Sequence, residues 1–179
     1  MPLDKMQKRD YSVVPYDPAW VNKFEELKKK IQTVFGEKAL TIEHIGSTSI
    51  PGMSAKPVID VLVTVTKFES FEKEKEHMAK LGYEYGDNYI ADETVIFFKT
   101  EDGDRKTENI HICVRESYMA NRFIRTRNYL RNHPDRAKEY SDLKVTLWKD
   151  MPDDYPAYRE AKRAFADETE RLAREEEGY

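Results

Sequence analysis

The run Val58-Ile59-Asp60-Val61-Leu62-Val63-Thr64-Val65 limits the fold of this 179-residue chain more than any other stretch. β-Branched residues crowd the preceding turn of a helix but pack well on a pleated surface, so the run reads as a strand. Its apolar character is nearly continuous rather than alternating, which requires both faces to be covered. The strand is therefore interior to a sheet. Asp60 interrupts the run, and a carboxylate there is costly to bury unless it is paired or bound to a metal. Two readings follow. Asp60 is either a functional group, or it lies at the strand's exposed end or pairs with Lys56 or an arginine.

The remaining elements follow from periodicity and punctuation. Tyr11 to Val14 reads as a short strand. Asp17-Pro18 gives a cap and a first-turn proline. Beyond it Trp20, Phe24, Leu27, Ile31 and Phe35 recur three and four apart, so a helix is expected from Pro18 to Phe35, ended by Gly36. Leu40 to Ile45 alternates as a strand with Leu40 and Ile42 inward. Phe68 to Leu81 reads as a helix ending at Gly82, followed by short strands at Tyr83–Tyr85, Thr94–Lys99 and Asn109–Val114. From Tyr118 the period is helical again, with a stop near His133-Pro134 and a further start near Asp154-Tyr155-Pro156. The segment Asp150 to Pro156 is too short to serve as a linker between domains, so residues 1–179 are expected to form one α+β domain. It would be a small mixed sheet flanked by helices, with a helical C-terminal third. Charged residues make up 36% of the chain, as wet outer helix faces require.

Chemistry concentrates between the two strands that open the sheet. The segment is His44-Ile45-Gly46-Ser47-Thr48-Ser49-Ile50-Pro51-Gly52-Met53-Ser54-Ala55-Lys56-Pro57, and Asp60 follows in the next strand. A glycine lets a phosphate chain approach the backbone, and hydroxyls add donors, so Gly46, Ser47, Thr48 and Ser49 are candidate phosphate ligands. Lys56 either neutralises such a phosphate or pairs with Asp60. A carboxylate on a rigid strand can hold Mg²⁺, a hard ion that bridges to phosphate oxygens. In strand alternation Asn109 and His111 share one face and Glu108 and Ile110 the other, so His111 is the partner of Asp60 if its face looks into the cleft. Glu43 and His44, beside the loop, and Glu108 are the other candidate ligands.

These residues resemble the signature of the GrpB family: Glu43 to Ser49, Pro51-Gly52, Ala55-Lys56-Pro57 and Ile59-Asp60. Tyr16-Asp17-Pro18-Ala19-Trp20 looks like that family's opening motif. Asn109-Ile110-His111-Ile112 resembles its histidine strand, and Arg127-Asn128-Tyr129-Leu130-Arg131 resembles its arginine box. The family in turn looks like a branch of the nucleotidyltransferase superfamily that includes DNA polymerase beta. The resemblance implies a nucleotidyltransferase-like sheet and a transfer from a nucleoside triphosphate to a small-molecule acceptor. Asp60 and His111 would be the catalytic pair, and Asp60, His111 and Glu43 would hold Mg²⁺ or Mn²⁺. Gly46, Ser47, Thr48, Ser49, Lys56, Arg127 and Arg131 would bind the phosphates. Three positions depart from the pattern. Val58 stands where the superfamily places its first strand carboxylate, Asn109 replaces a histidine, and Asn128 replaces an aspartate. A catalytically inactive relative that binds a nucleotide or another anion is the alternative.

Other features bound the reading. Arg122, Arg125, Arg127, Arg131 and Arg136 either face a phosphate or pair with acidic helices. The formal charge of -4 offers no general attraction to nucleic acid or anionic lipid, so any anion needs a local basic patch. No run reaches the ~20 apolar residues of a membrane span. The polar start and the single cysteine, Cys113, fit a cytoplasmic setting.

Overall fold

The computed structural model describes residues 11–87, 94–102 and 105–178. Helix α1 (Ala19–Phe35) opens the fold and buries Trp20, Phe24, Leu27, Ile31 and Phe35, the stripe read from the sequence. Asp17 caps it, its Oδ1 accepting from the Ala19 amide at 2.9 Å. Strands β1 (Thr41–Ile45) and β2 (Ile59–Val65) follow, with a single short 3₁₀ turn at Ser47–Ser49 in the loop between them. Next come α2 (Glu72–Lys80), β3 (Glu84–Asp87), β4 (Thr94–Glu101) and β5 (Arg105–Val114). Four helices complete the chain: α3 (Tyr118–Asn132), α4 (Pro134–Asp150), α5 (Tyr155–Ala161) and α6 (Arg163–Glu176).

The sheet order is β1-β2-β5-β4-β3. Strand β2 runs antiparallel to β1 and parallel to β5, and the rest is antiparallel, so the sheet is mixed. One face of β2, with Ile59, Val61, Val63 and Val65, packs on α1 together with Ile110, Ile112 and Phe97. Each fully buried side chain of this size contributes about 1.5–3 kcal/mol. The other face meets α3 through Ile45, Leu62, Cys113 and Ala120. Both faces of β2 are thus covered, as its composition requires.

Several expectations are corrected. Tyr11–Val14 is not a sheet strand. It makes one bridge, Val14 to Ala55, and its Tyr11 ring packs on Tyr155 and Tyr158. Leu40 lies outside β1 and is exposed. Helix α2 begins only at Glu72, because Phe71 adopts a left-handed φ of 54° to bury its ring beside Phe35. The C-terminal third holds a break at Lys162 that divides α5 from α6. The acidic run Glu101, Asp102 and Asp104 around Gly103 reads in the sequence as a solvated hairpin turn, and its Gly103 and Asp104 lie outside the described residues.

Candidate functional site

Asp60 is the second residue of β2, placed beside Ile45 of β1 and Asn109 of β5. Strand alternation puts Asp60, Asn109 and His111 on the α3 face, at the end of the sheet that α3 leaves open. Both readings of Asp60 meet here: it stands at a strand end, and it faces a cleft with 27% of its side chain exposed. Its Oδ1 accepts from Asn109 Nδ2 at 2.8 Å and lies 3.8 Å from His111 Nε2. Burial alone would push this carboxyl up. The His111 imidazole, the Asn109 amide and the charge of Lys56 outweigh that and hold it below the usual carboxylate range.

The loop is built against this carboxylate. Gly46 has φ 70° and ψ -175°, a region open essentially to glycine alone. A Cβ on it would lie 2.5 Å from Asp60 Oδ2, so the close approach that needs glycine is to the protein's own carboxylate. Ser49 Oγ donates to the Gly46 carbonyl at 2.6 Å, and Thr48 Oγ1 donates to the Val58 carbonyl at 3.0 Å. Thr48 then accepts from His44 Nε2 at 3.0 Å. That bond sets a neutral tautomer, and burial pushes the His44 imidazole down to about 4. His44 itself stacks on Phe24, on the α1 side of the sheet. The hydroxyls of Thr48 and Ser49, expected on phosphate, are therefore engaged inside the loop.

The arginine box is also turned inward. Arg131 gives Nε and Nη2 to the Ser49 carbonyl at 3.1 and 2.7 Å. Arg127 gives Nη1 to Glu43 at 2.8 Å and to the His44 carbonyl at 3.1 Å. Both buttress the loop where a phosphate clamp was expected, and Glu43, expected as a metal ligand, is the ion-pair partner of Arg127. Arg122 pairs with Asp167, Arg125 with Glu170 and Glu177, and Arg136 with Glu139.

What remains is a cleft of two lobes that meet at Ser47, Asp60 and Lys162. The first lobe, about 200 Å³, is lined by Lys56, Arg105, Lys106, Lys144 and Lys162, with Asp60 its sole carboxylate among the described residues. The second, about 240 Å³, is more apolar, with Ile50, Phe123, Leu130 and Ala166. Lys56 does not bond Asp60; its Nζ donates to the Tyr155 hydroxyl at 2.6 Å, and burial together with Lys162 pushes its ammonium down. Lys144 is 2% exposed, and its Nζ has no hydrogen-bond partner among the described residues. Burial, with Lys162 and Lys56 nearby, pushes it down to about 6.

Sequence reasoning passed over Lys144 and Lys162. For Lys144 there was a signal. Ala137, Tyr140, Ser141 and Lys144 form the buried stripe of α4 at helical spacing, and a lysine in that stripe needs a reason.

The fold family implies a divalent metal, and the donor set does not fit a two-metal centre. Asp60 and His111 are brought together, but no group of three histidine, cysteine or acidic side chains that could hold a metal occurs among the described residues. Glu108 is bonded by the Tyr83 hydroxyl, and Val58 puts hydrocarbon on the first lobe's wall.

Comparison with known proteins places the architecture. The family described as GrpB protein matches residues 10–171. The chain belongs to the GrpB family. UPF0157 protein YqkA of Bacillus subtilis is 37% identical over 156 residues, covering 87% of this chain and 45% of that protein. This chain thus matches under half the length of YqkA. Glutamate-rich protein GrpB of Alkalihalophilus pseudofirmus is 32% identical over 166 residues, covering 91% of this chain and 95% of that one. The crystal structure of conserved protein GrpB from Enterococcus faecalis aligns with a TM-score of 0.88 and 33% identity. It covers 94% of this chain and 100% of that chain. The mixed sheet with flanking helices is consistent with a nucleotidyltransferase-type fold. No helix among the described residues is long and apolar enough to cross a membrane.

Proposed function

We propose that the cleft binds the phosphate chain of a nucleotide or of another phosphorylated small molecule, with binding itself as the function these residues support best. The charge of the first lobe carries the reading. Among the described residues five basic side chains line it, of which Arg105 is paired with Glu101 and Asp102, against the single carboxylate of Asp60, in a chain whose formal charge is -4. A low-dielectric wall focuses that local field on an anion. The second lobe, with its Phe123 and Leu130 side chains, is suited to an apolar or aromatic portion of the same ligand.

A second reading is nucleotidyl transfer to a small acceptor, with Asp60 and His111 at the reacting end and Mg²⁺ or Mn²⁺ present. One observation favours it: an ionised carboxylate sits where the two lobes meet. The donor set argues against it, since phosphoryl transfer with metals draws on several carboxylates.

Asp60→Asn separates the readings. Thermal unfolding is followed with ATP, adenosine and inorganic pyrophosphate, with and without Mg²⁺ or Mn²⁺. A ligand that binds the native state raises its stability, by about 2.7 kcal/mol at a hundredfold excess over Kd. The binding reading expects metal-free stabilisation by ATP and pyrophosphate, none by adenosine, and a larger shift in Asp60→Asn, because a repelling charge is gone. Stabilisation that needs metal and vanishes in Asp60→Asn supports transfer instead. No shift with any anion overturns both readings.

A further inference from the structure

We propose that Lys144, with Lys56 and Lys162, forms a receptor for a linked diphosphate group, so that the cleft's ligand bears a diphosphate or triphosphate and not a single phosphate. The inference rests on the reading that the cleft takes a phosphorylated ligand, and it names which class. Lys144 carries it. An ammonium offers three donors and no acceptor, and burying one without a partner is strongly unfavourable. Here Lys144 lines the first lobe and its buried Nζ has no hydrogen bond among the described residues; the group flanking it on its own helix is the Tyr140 ring, 4.7 Å away. Lys56 and Lys162 line the same lobe and repel Lys144, which together with burial pushes it down to about 6. The one carboxylate in the wall among the described residues, Asp60, holds Asn109 and His111. None of the described residues in the wall therefore neutralises Lys144, and an anion entering the lobe would.

The number of lysines sets the class of anion. With an anion in the lobe to hold all three protonated, the lysines present about nine N–H donors, of which Lys56 has placed one on Tyr155. A phosphomonoester brings three acceptor oxygens and about -1.5 to -2 charges. It leaves most of those donors and some of the charge unmatched. A linked diphosphate adds a second set of oxygens and further charge within one small ligand, which three lysines around a lobe of about 200 Å³ can engage together.

Calorimetric titration of the whole chain tests this with inorganic pyrophosphate and inorganic phosphate on wild type, Lys144→Met and Lys144→Arg. Wild type is expected to bind pyrophosphate at least tenfold tighter than phosphate. Lys144→Met is expected to lose at least tenfold in pyrophosphate affinity, with its preference falling toward one. Lys144→Arg keeps the charge and is expected to keep the preference. Thermal unfolding of Lys144→Met, expected to occur at higher temperature than wild type, establishes that the variant is folded. Unchanged pyrophosphate affinity in folded Lys144→Met overturns the inference. Equal wild-type affinity for the two anions overturns the diphosphate assignment while leaving the phosphate-binding reading intact. Binding of neither anion overturns both.

Discussion

Two sets of cations surround the Gly46–Pro57 loop, and they are satisfied in opposite ways. The arginines of α3 look like a clamp in the sequence, yet Arg127 and Arg131 are matched to protein acceptors: a carboxylate, a strand carbonyl and a loop carbonyl. The lysines are scattered through the sequence at 56, 144 and 162, and look unrelated until the fold brings them to one lobe. Lys144 has no acceptor there among the described residues. Clustering of like charge along a helix is thus a poor guide to a ligand site, because acidic neighbours from other elements can neutralise it. Unmatched burial is a better guide, since a folded chain does not tolerate it without a compensating partner.

The comparison requires that the loop be held by the protein's own groups, and Gly46→Ala tests this with the largest expected effect. The backbone there is open essentially to glycine alone, and the new methyl would meet the Asp60 carboxylate. A loss of about 3 kcal/mol or more in urea unfolding is expected. The double variant with Asp60→Ala should recover some of that loss, because the contacts with the carboxylate at 2.5 and 3.1 Å are removed while the 3.0 Å approach to the Cβ of residue 60 and the backbone strain stay. Strict additivity of the two changes would show that the carboxylate does not press on Gly46.

Arg131→Met comes next. It strips the Ser49 carbonyl of both guanidinium donors, and a charge-assisted bond to a buried acceptor is worth about 1.5–3 kcal/mol. A stability loss of about 2 kcal/mol is expected, with pyrophosphate affinity changing less than threefold. The reverse pattern, full stability with lost affinity, would make Arg131 a clamp after all and erase the contrast between the two sets.

The two sets also mark how far the sequence could be read. The α1 stripe, the buried β2 strand and the shared face of Asn109 and His111 were legible, because each follows from a local period of 3.6 or 2. The roles of Arg127, Arg131, Thr48 and Ser49 were not. Their partners are a strand carboxylate and carbonyls of strand and loop, brought near by tertiary packing or by the turn's own geometry, and residue type alone cannot separate a phosphate ligand from a loop brace. Tyr11–Val14 failed as a strand for a similar reason. Its aromatic residue satisfies burial against Tyr155 and Tyr158, far along the chain, and needs no sheet. Lys144 was visible as a misfit in an otherwise buried stripe, but the lobe that explains it exists only in the folded chain.

Lys144→Met should act on stability in the direction opposite to Arg131→Met. The ammonium titrates at about 6 when folded and near its ordinary 10.5 when unfolded, so between these values the unfolded chain binds more protons. Stability from this group therefore rises with pH across that window and is lowest below it. Replacing the lysine by methionine removes the penalty. A gain is expected at pH 7, where each pH unit below 10.5 adds up to about 1.4 kcal/mol to the penalty. The gain should shrink as pH approaches 10. A methionine variant less stable than wild type at pH 7 would mean that Lys144 has a protein acceptor, and the lobe would lose its unmatched charge.

Arg122→Gln sets the lower end of the scale. Arg122 and Asp167 form a 2.5 Å pair with side chains 32% and 51% exposed, at the wall of the second lobe. Solvent screens such a pair and holding two long side chains costs entropy, so the loss should stay below about 1 kcal/mol. Pyrophosphate affinity should also be unchanged, because the diphosphate is assigned to the first lobe, which Arg122 does not line. A tenfold loss of affinity in Arg122→Gln would move the anion into the second lobe. It would also show that an arginine already paired with protein still recruits ligand, which is the point on which the two sets of cations are held to differ.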